Sequence, residues 1–510
     1  MPRLRTPDQR LLRQLAQLAN CNPFSIERME LEQKVLGGRF VADDRIAWSR
    51  PFGADDRERP NVERLLELAS ALVERVRDVD PLSPAEAEDY WDVVSYVLLY
   101  RHLTGHGADA LSNRTLARVW QPYRQDFQRF SQASALPAPR TESAGHLFAC
   151  LFQVRRAFLN IYASILGDSR PAVALRRAVW ESVFTNDLRR YRRSVFQRLG
   201  DIPTLVTGPS GTGKELVARA IGLSQYLPFN ESTQRFAGLS TTRFHALNLA
   251  AMSPTLIESE MFGHAKGAFT GAIGAREGWF AKCKAYGAVF LDEIGELDPA
   301  IQVKLLRVVQ QRVFSRLGET EEQRFAGKLI GATNRDLAVE LQAGRFREDF
   351  YYRLCSDRIH TPSLREQLDD RPEDLEAMVR HISRRLVGEE DEGGFAEQVV
   401  AWIGGHLGVD YPWPGNIREL EQCISSFLIR GSYTPHISRV PQHQADHWMA
   451  PMLAGALTGD QVLQRYCTWI YYRVGSYEQA ARQLGIDRRT VKSKIDRELL
   501  DRFAAADRPS

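Results

Sequence analysis

The chain has 510 residues, about three times the ~150 residues typical of one domain, which predicts two to four folded units. Because 44% of the residues are hydrophobic and 26% are charged, sizeable cores can form and a largely disordered chain is excluded. Lys and Arg number 67 and Asp and Glu 64, so the net charge is only +3 and any nucleic-acid contact must come from a local patch.

No signal for export or membrane insertion stands out in the sequence. Charged residues interrupt the amino-terminal segment, and the six cysteines include no CxxC pair. The most apolar stretch, 146–154, is much shorter than the ~20 residues of a membrane-spanning helix. We therefore expect a reduced, intracellular chain with no membrane partner.

The amino-terminal part is predicted to be mainly helical. Asn61 to Val79 has apolar residues at helical spacing. Ser83, Pro84 and Glu86 form a capping-box signature at the start of a second helix, which continues through the apolar segment Tyr90 to Leu103. The alternating strands and helices of a receiver domain are not found here.

A third apolar helix is predicted from Gly145 to Leu166, after a Ser, Ala and Pro-rich loop at 131–144. Together with Tyr90 to Leu103 it could line a ligand pocket, although such apolar stripes more often form ordinary core. The signal that this region senses, and whether it represses or assists the rest of the chain, stay open.

From Ile202 onward, short β-type runs alternate with helical segments, which is typical of a parallel sheet flanked by helices. The predicted strands are Ile202–Val206, His245–Leu249, Ala288–Leu291 and Lys328–Ala332. Helices follow at Asp374–Leu386 and Ile417–Arg430.

A glycine-rich turn follows the first of these strands and opens a helix, the context of a phosphate-binding loop. Backbone N–H groups of such a loop cradle phosphates, and the Lys214 ammonium adds a positive charge. Glu215 occupies the position where Ser or Thr usually holds Mg²⁺, so the metal must depend on another acid or on water. The predicted ATP-binding residues here are Gly208, Pro209, Ser210, Gly211, Thr212, Gly213, Lys214 and Glu215.

The required acid is predicted at the end of the Ala288–Leu291 strand, where Asp292 and Glu293 follow Lys214 by about 80 residues. In ring ATPases the first carboxylate of such a pair holds Mg²⁺ and the second polarises the attacking water. Asp292 is therefore the predicted metal ligand and Glu293 the predicted catalytic base.

Between these motifs lies the hexapeptide Gly267, Ala268, Phe269, Thr270, Gly271 and Ala272. It resembles the signature loop of the bacterial enhancer-binding proteins, the AAA+ ATPases that activate sigma-54 RNA polymerase. The resemblance implies that this loop contacts sigma-54.

The resemblance extends over residues 165–431 and implies further roles. Asn248 matches a switch asparagine that contacts the glutamate, here Glu293. Thr333 and Asn334 match sensor I. Arg347 and Arg353 match paired arginine fingers that reach a neighbouring subunit, and Arg418 matches sensor II of the lid and completes the predicted ATP site.

Four positions depart from the family pattern, at Pro209, Leu249, Ala265 and Cys355. The segment from Cys355 to His360 stands where an apolar strand is usual. None of these changes removes a catalytic group, and their effect on coupling and ring contacts stays open.

The carboxy terminus fits a helix-turn-helix, with Ala481 at the helix crossing, Gly485 in the turn and Val491 in the core. Residues 488–497 form one predicted basic helix with five basic residues against one acid. It resembles the Fis-type DNA-binding end of the same family, with Asp487 as its cap. The predicted DNA-binding residues are Arg488, Arg489, Thr490, Lys492, Ser493, Lys494 and Arg497.

The predicted fold is multidomain: a mainly helical amino-terminal domain, an α/β AAA+ P-loop ATPase with a helical lid, and an all-α helix-turn-helix. The predicted boundaries are 1–164 for the regulatory domain, 165–365 for the α/β core, 366–431 for the lid, 432–458 for a linker and 459–510 for the DNA-binding domain.

The resemblance implies a sigma-54-dependent transcriptional activator that uses ATP and Mg²⁺. Its expected partners are sigma-54 RNA polymerase, double-stranded DNA upstream of promoters and copies of itself in a hexameric ring, for which assembly from dimers is one route. The expected location is the bacterial cytoplasm at the nucleoid. An alternative is a DNA-binding regulator or repressor that uses nucleotide only for assembly. A helicase-like or unfoldase enzyme is a third interpretation, which the helix-turn-helix does not favour.

Overall fold

The computed structural model describes residues 4–41, 60–77, 79, 82–104, 113–132, 143–237, 244–388, 392–435 and 456–500. Most of the predicted 131–144 loop and of the predicted 432–458 linker therefore lies outside the described residues. The chain divides into two compact units, Met1–Tyr433 and Thr434–Ser510. Among the described residues, no helix is both long and apolar enough to cross a membrane.

The amino-terminal part of the first unit is helical, as predicted. Its helices are α1 (Thr6–Asn20), α2 (Ile26–Leu36), α3 (Pro60–Arg77), α4 (Pro84–His102), α5 (Asn113–Gln132) and α6 (Ala144–Ser164). The capping box is confirmed: the Ser83 hydroxyl accepts from the Glu86 amide, and the Glu86 carboxylate accepts from the Ser83 amide.

Helices and strands alternate in the next part of this unit. They are α7 (Arg170–Phe184), α8 (Leu188–Arg190), β1 (Thr204–Thr207), α9 (Lys214–Gly222), β2 (Phe229–Asn230), β3 (Arg235–Phe236), β4 (Phe244–Asn248), α10 (Pro254–Phe262), β5 (Gly263–His264), β6 (Arg276–Glu277), α11 (Trp279–Lys282), β7 (Ala288–Asp292), α12 (Pro299–Gln311), β8 (Val313–Ser315), β9 (Glu322–Arg324), β10 (Lys328–Thr333), α13 (Leu337–Gln342), α14 (Glu348–Leu354) and β11 (Asp357–His360).

Five of these strands form one parallel sheet in the order β11-β1-β10-β7-β4. The four predicted strands are confirmed. The fifth strand, β11, shows that the departure at Cys355 to His360 does not remove the strand. An edge strand needs few apolar residues: Ile359 is buried, and the Asp357 carboxylate accepts from the hydroxyls of Ser182 at 2.5 Å and Thr204 at 2.6 Å.

Four helices complete the first unit and have their own apolar core. They are α15 (Leu364–Asp370), α16 (Asp374–Val387), α17 (Glu392–His406) and α18 (Asn416–Arg430). Asn416 at the start of α18 has a φ of 54°, and its side-chain oxygen accepts from the Leu364 amide at 2.8 Å, which fixes the turn into this helix.

Helix α6 belongs to two cores at once. Its first half, including Leu147 and Phe152, packs among the amino-terminal helices, whereas Phe158 and Ile161 in its second half pack with α7 and the sheet. The amino-terminal helices and the sheet layer are therefore joined by a shared helix as well as by the chain.

The second unit contains α19 (Gly459–Val474), α20 (Tyr477–Leu484) and α21 (Arg488–Ser493). Gly485 has a φ of 66° in the turn, Val491 is fully buried and Asp487 caps α21, as predicted. Two details differ: Ala480 rather than Ala481 is the fully buried alanine, and the basic segment is not one helix. The helix ends at Ser493, because the Asp496 side chain accepts from the Leu499 amide and starts a new turn.

Candidate active site

The phosphate-binding loop joins the carboxyl end of β1 to the amino end of α9. Gly213, the cap of α9, has a φ of 86°, a backbone conformation that glycine adopts without strain. No acceptor among the described protein groups takes the backbone N–H groups of Gly211, Thr212, Gly213 and Lys214. These free donors at a helix amino terminus form an anion cradle.

Lys214 lies at the floor of this loop and is only 7% exposed. Its ammonium donates to the carbonyl oxygens of Gly208 at 3.0 Å and Pro209 at 3.1 Å. Burial lowers the pKa of Lys214, while the nearby carboxylates of Glu293 and Asp292 oppose that shift. The lysine is thus held in the loop by neutral acceptors, and no carboxylate among the described residues forms a close ion pair with it.

The lid packs directly on the same loop. The side-chain amide of Asn416 donates to the Ser210 carbonyl at 2.9 Å, and the Arg418 guanidinium lies 3.3 Å from the Ser210 hydroxyl. A Cβ at Gly211 would lie 2.2 Å from the Gly415 carbonyl oxygen, so only glycine allows this approach. Arg418, the predicted sensor II residue, therefore lies beside the loop.

The two carboxylates lie at the same edge of the sheet. Strand β7 ends at Asp292, and β10, which separates β7 from β1, runs in register with both. Burial raises the pKa of Asp292, with a smaller rise from the charge of Glu215. Glu293 follows in the left-handed region with a φ of 56°, which turns its side chain out of the strand direction.

The predicted sensor I residues contact Glu293 through a backbone amide. Thr333, the last residue of β10, is fully buried and its hydroxyl accepts from the Arg335 amide at 3.1 Å. The Asn334 amide donates to the Glu293 carboxylate at 3.2 Å. Strand β10 therefore links the position of Glu293 to the centre of the sheet.

The predicted contact between Asn248 and Glu293 is not present in this structure. The Asn248 side chain accepts from the Ala250 amide at 3.1 Å, a local turn that caps the end of β4. Asn248 still lies level with Asp292, its register partner on β7. The residue is at the predicted edge of the sheet but is bonded to its own chain.

Arg347 and Arg353 lie on the surface at the two ends of α14. The Arg347 guanidinium makes two bonds to the Asp349 carboxylate, at 3.0 and 2.7 Å, and its amide donates to Gln302. Arg353 is exposed and makes no side-chain hydrogen bond or ion pair with any described residue. Both guanidinium groups are thus accessible from outside the chain.

The hexapeptide 267–272 forms a tight loop between β5 and β6. The Gly267 amide donates to the Ala272 carbonyl at 2.9 Å, which closes the loop, and the Phe269 ring packs edge-on against His264 at 5.0 Å. Thr270 is exposed, and the neighbouring Ile273 is 87% exposed. Thr270 of the loop and Ile273 beside it therefore present a polar and an apolar side chain to solvent.

The basic residues of the second unit lie mostly on its surface. Arg488, Arg489, Lys492, Ser493 and Arg497 are exposed, while Thr490 and Lys494 are half-buried. Lys494 forms an ion pair of 3.1 Å with Asp460. Because the helix ends at Ser493, Arg497 lies on the following turn and not on the face shared by Arg488 and Lys492.

Two groups of the site were not assigned from the sequence. The buried Thr361 hydroxyl bonds to Thr212 at 2.6 Å and to the Thr207 carbonyl, and Asn416 bonds to Ser210. Asn416 stands in the same Gly-Asn-Ile-Arg segment as Arg418, so its position could have been noticed. Thr361 carries no comparable sequence signal.

These groups fit a nucleoside triphosphate with Mg²⁺. Four free amides and the Lys214 ammonium suit phosphate oxygens, and Asp292 supplies the hard oxygen ligand that Mg²⁺ prefers. The parallel sheet, the phosphate loop, the carboxylates on the neighbouring strand and the helical lid together define an AAA+ P-loop domain.

Comparison with known proteins shows which AAA+ proteins this chain resembles. Residues 182–360 match the family described as "Sigma-54 interaction domain". The chain is 39% identical over 302 residues to the transcriptional regulatory protein ZraR of Escherichia coli K12, covering 58% of this chain and 63% of ZraR. It is 42% identical over 225 residues to the sigma54-dependent transcriptional activator SfnR of Pseudomonas putida, covering 44% and 56%.

Over residues 182–360 the chain is thus similar to the sigma-54 interaction domain of these regulators. It spans slightly less than two thirds of the length of ZraR. Among solved structures, NtrX of Brucella abortus in complex with ATP superposes with a TM-score of 0.39 at 22% identity, covering 74% of this chain and 80% of NtrX.

Proposed function

We propose that the chain is an activator of sigma-54 RNA polymerase that hydrolyses ATP in a ring and converts the closed promoter complex into the open one. The observation that carries this proposal is the intact loop 267–272 between β5 and β6 inside the matched domain, in which Gly267, Thr270 and Gly271 are exposed. A degraded loop would have favoured a regulator that uses nucleotide for assembly alone.

The geometry of the sheet edge suits phosphoryl transfer to water. The loop amides and Lys214 would bind the phosphates, and Asp292 would hold the metal. When bound, Mg²⁺ neutralises developing charge on the phosphate oxygens. Glu293, fixed by the Asn334 amide, orients the attacking water and accepts its proton.

Completion of the site requires a second copy of the chain. Arg347 and Arg353 lie on the outer surface of α14, and an arginine supplied by a neighbour contributes about 10³–10⁵-fold to phosphoryl transfer in related chemistry. We therefore propose that a ring, expected to be a hexamer, is the hydrolysing form. The exposed basic residues of α21 are proposed to tether this ring to duplex DNA.

The test is promoter opening by the full chain with sigma-54 RNA polymerase, ATP and a supercoiled promoter, followed by permanganate footprinting. Thr270→Ala removes one exposed loop hydroxyl distant from the phosphate loop in sequence. We expect it to retain ATP hydrolysis and lose at least tenfold in promoter opening. Thr233→Ala, at an exposed turn between β2 and β3, is the matched control.

The alternative function predicts a different result in the same assay. A regulator that uses nucleotide only for assembly would form ATP-dependent oligomers and bind DNA without opening the promoter. Normal hydrolysis by the natural sequence without any promoter opening would sink the remodelling role.

A further inference from the structure

Thr361 lies where the sheet passes into the lid, directly against the phosphate-binding loop. It follows β11 and is fully buried, and Pro362 and Ser363 separate it from the first lid helix, α15. Its amide donates to the Thr207 carbonyl at 2.8 Å, which continues the pairing of β1 with β11 beyond the end of the strand. The same carbonyl lies 3.2 Å from the Thr361 hydroxyl oxygen. The residue is therefore fixed beside the point where the loop leaves β1.

The first glycine of the loop packs closely against Thr361. Gly208 has a φ of 147°, and a Cβ at this position would lie 2.2 Å from the Thr361 hydroxyl oxygen and 2.6 Å from its carbonyl oxygen. The carbonyl oxygen of Gly208 is one of the two acceptors that hold the Lys214 ammonium. Thr361 therefore lies against a residue that positions the lysine.

The Thr361 hydroxyl is bonded to the turn of the loop. Its oxygen lies 2.6 Å from the Thr212 hydroxyl oxygen, and both residues are buried. The Thr212 hydroxyl donates its one hydrogen to the Pro209 carbonyl at 2.9 Å, so the Thr361 hydroxyl is the donor to Thr212, the nearer of its two acceptors. Because Thr212 stands between Gly211 and Gly213, this bond fixes the part of the loop that carries the free backbone N–H groups.

The lid holds the loop at a second point. The Leu364 amide donates to the Asn416 side chain at 2.8 Å, and the Asn416 side chain donates to the Ser210 carbonyl at 2.9 Å. Leu364 is the first residue of α15 and follows the segment that begins at Thr361. The loop is thus bonded at Thr212 by the segment that enters the lid and at Ser210 by the lid itself.

We infer that Thr361 is a positioning residue for nucleotide binding, which acts through Thr212 to hold the turn of the phosphate loop in the shape that receives phosphates. Thr361 is fully buried and its hydroxyl is bonded within the protein, so it acts on the loop and not on the ligand. Backbone N–H groups bind an anion best when they are already aligned, because little ordering is then left to the binding step. The inference rests on the proposed nucleotide-binding role of this loop.

The nucleotide affinity of the full chain tests this inference, with ADP and the non-hydrolysable analogue AMPPNP as probes in calorimetric titrations with Mg²⁺. Thr361→Val removes the hydroxyl and keeps the branched shape of the side chain, whereas Thr361→Ser keeps the hydroxyl and removes a methyl group. We expect Thr361→Val to bind both probes at least fivefold more weakly and Thr361→Ser to bind within twofold of the natural sequence. Affinity within twofold in Thr361→Val, or equal weakening in both variants, would overturn the role of the hydroxyl.

Thr204→Val is the matched control for the loss of a buried hydroxyl. Thr204 is fully buried at the opposite end of β1, where its hydroxyl donates to the Asp357 carboxylate of β11 at 2.6 Å. Because a hydrogen bond to a charged group is stronger, this variant should lower the melting temperature at least as much as Thr361→Val and yet leave the nucleotide affinity unchanged. A loss of affinity in Thr204→Val equal to that in Thr361→Val would mean that both act through general stability, against the inference.

A double-substitution cycle shows whether Thr361 acts through Thr212. Thr212→Val breaks the same hydrogen bond from the other side, so the double variant should bind within twofold of the weaker single variant. Weakening of the double variant by the product of the two single effects would mean that the two hydroxyls act independently, which contradicts the inference.

Steady-state kinetics separate binding from chemistry. The KM for ATP should rise at least fivefold in Thr361→Val while kcat changes less than twofold, because the hydroxyl positions groups that bind the nucleotide before the reaction. A fall in kcat with KM unchanged would refute the positioning role. Absence of hydrolysis in the natural sequence, with the loss of affinity in Thr361→Val intact, would contradict the proposed function and support the positioning role.

Discussion

Lys214 in the phosphate loop and Asp92 in α4 are both buried charges, but their surroundings differ. Lys214 is held by two neutral carbonyl oxygens. Asp92, only 1% exposed, accepts from the guanidinium groups of Arg189 and Arg192 and from the Asn20 amide at 2.6 Å. The first charge remains available to a ligand, whereas the second is fully satisfied within the fold.

The comparison separates a buried charge that can still bind a ligand, Lys214, from a buried charge that holds parts of the fold together, Asp92. A buried ion pair adds little net stability over an apolar pair of the same shape, but removal of one partner is costly. A buried cation without an ionic partner costs stability and gives anion affinity. A substitution of Lys214 should therefore lower activity more than stability, and a substitution of Asp92 should lower stability more than activity.

The largest effect is expected for Lys214→Met. Loss of the charge on the phosphates should reduce ATP hydrolysis by at least ~10²-fold, as for removal of one preorganised electrostatic group. The thermal stability should fall much less than when an ion pair is broken, because only two hydrogen bonds to neutral carbonyl oxygens are lost. Steady-state ATPase rates and melting temperatures test this, with the exposed Lys284→Met as control. A stability loss as large as the activity loss would mean that Lys214 is a structural residue.

Asp92→Asn should have the converse effect. The change leaves two guanidinium groups near a neutral amide, and we expect a loss of about 4 kcal/mol in the stability of the contact between α4 and the 189–192 segment. Hydrogen exchange of the α4 amides measures this loss. The phosphate loop should keep its nucleotide affinity. Unchanged exchange in α4 would show that Asp92 does not hold the contact.

Lys328→Met tests the comparison within one domain. Lys328 in β10 is a second buried lysine, and it forms no close ion pair with any described residue. Burial lowers its pKa from 10.5 to about 8. Between these values the unfolded chain binds more protons than the folded chain, so stability rises with pH and the lysine destabilises the fold below pH 8.

The methionine variant should therefore be more stable than the natural sequence at pH 7, by up to about 3 kcal/mol, and this difference should shrink towards pH 10.5. Hydrogen exchange of the β10 amides at several pH values gives the difference directly. A stability difference that is independent of pH would refute the assigned pKa. Unlike Lys214→Met, this variant should still hydrolyse ATP.

The smallest effect is expected for Glu88→Gln. Glu88 pairs with Arg189 at 3.1 Å and Arg193 at 3.0 Å, but its side chain is 41% exposed. Exposed pairs contribute about 0–1 kcal/mol and are screened by salt. Melting temperatures in low and high salt should differ little from those of the natural sequence. A loss near that of Asp92→Asn would place Glu88 inside the same buried network.

The sequence predicted those parts of the molecule that local residue patterns determine. The strand, glycine turn and helix around Lys214 lie within a few residues, as do Asp292 and Glu293 at the end of β7, and all form as predicted. The roles of these residues in catalysis remain predictions, as do the domain boundaries.

Features that depend on distant residues were not predictable in this way. Asp92 meets Arg189 and Arg192 across about 100 positions, and no local pattern marks it as buried. The strand at 357–360 is fixed by hydroxyl groups of α7 and β1 rather than by its own hydrophobicity. The end of α21 at Ser493 depends on a competing cap at Asp496.

The shared helix α6 has a consequence for any exchange of the amino-terminal helices. A recombination event that joins a different amino-terminal segment at residue 164 would replace Phe158 and Ile161, and with them part of the apolar surface that covers α7 and the sheet. A viable exchange must preserve the second half of α6 with the ATPase domain or replace it by a helix of matching surface. The segment that must stay with the sheet domain therefore begins inside α6.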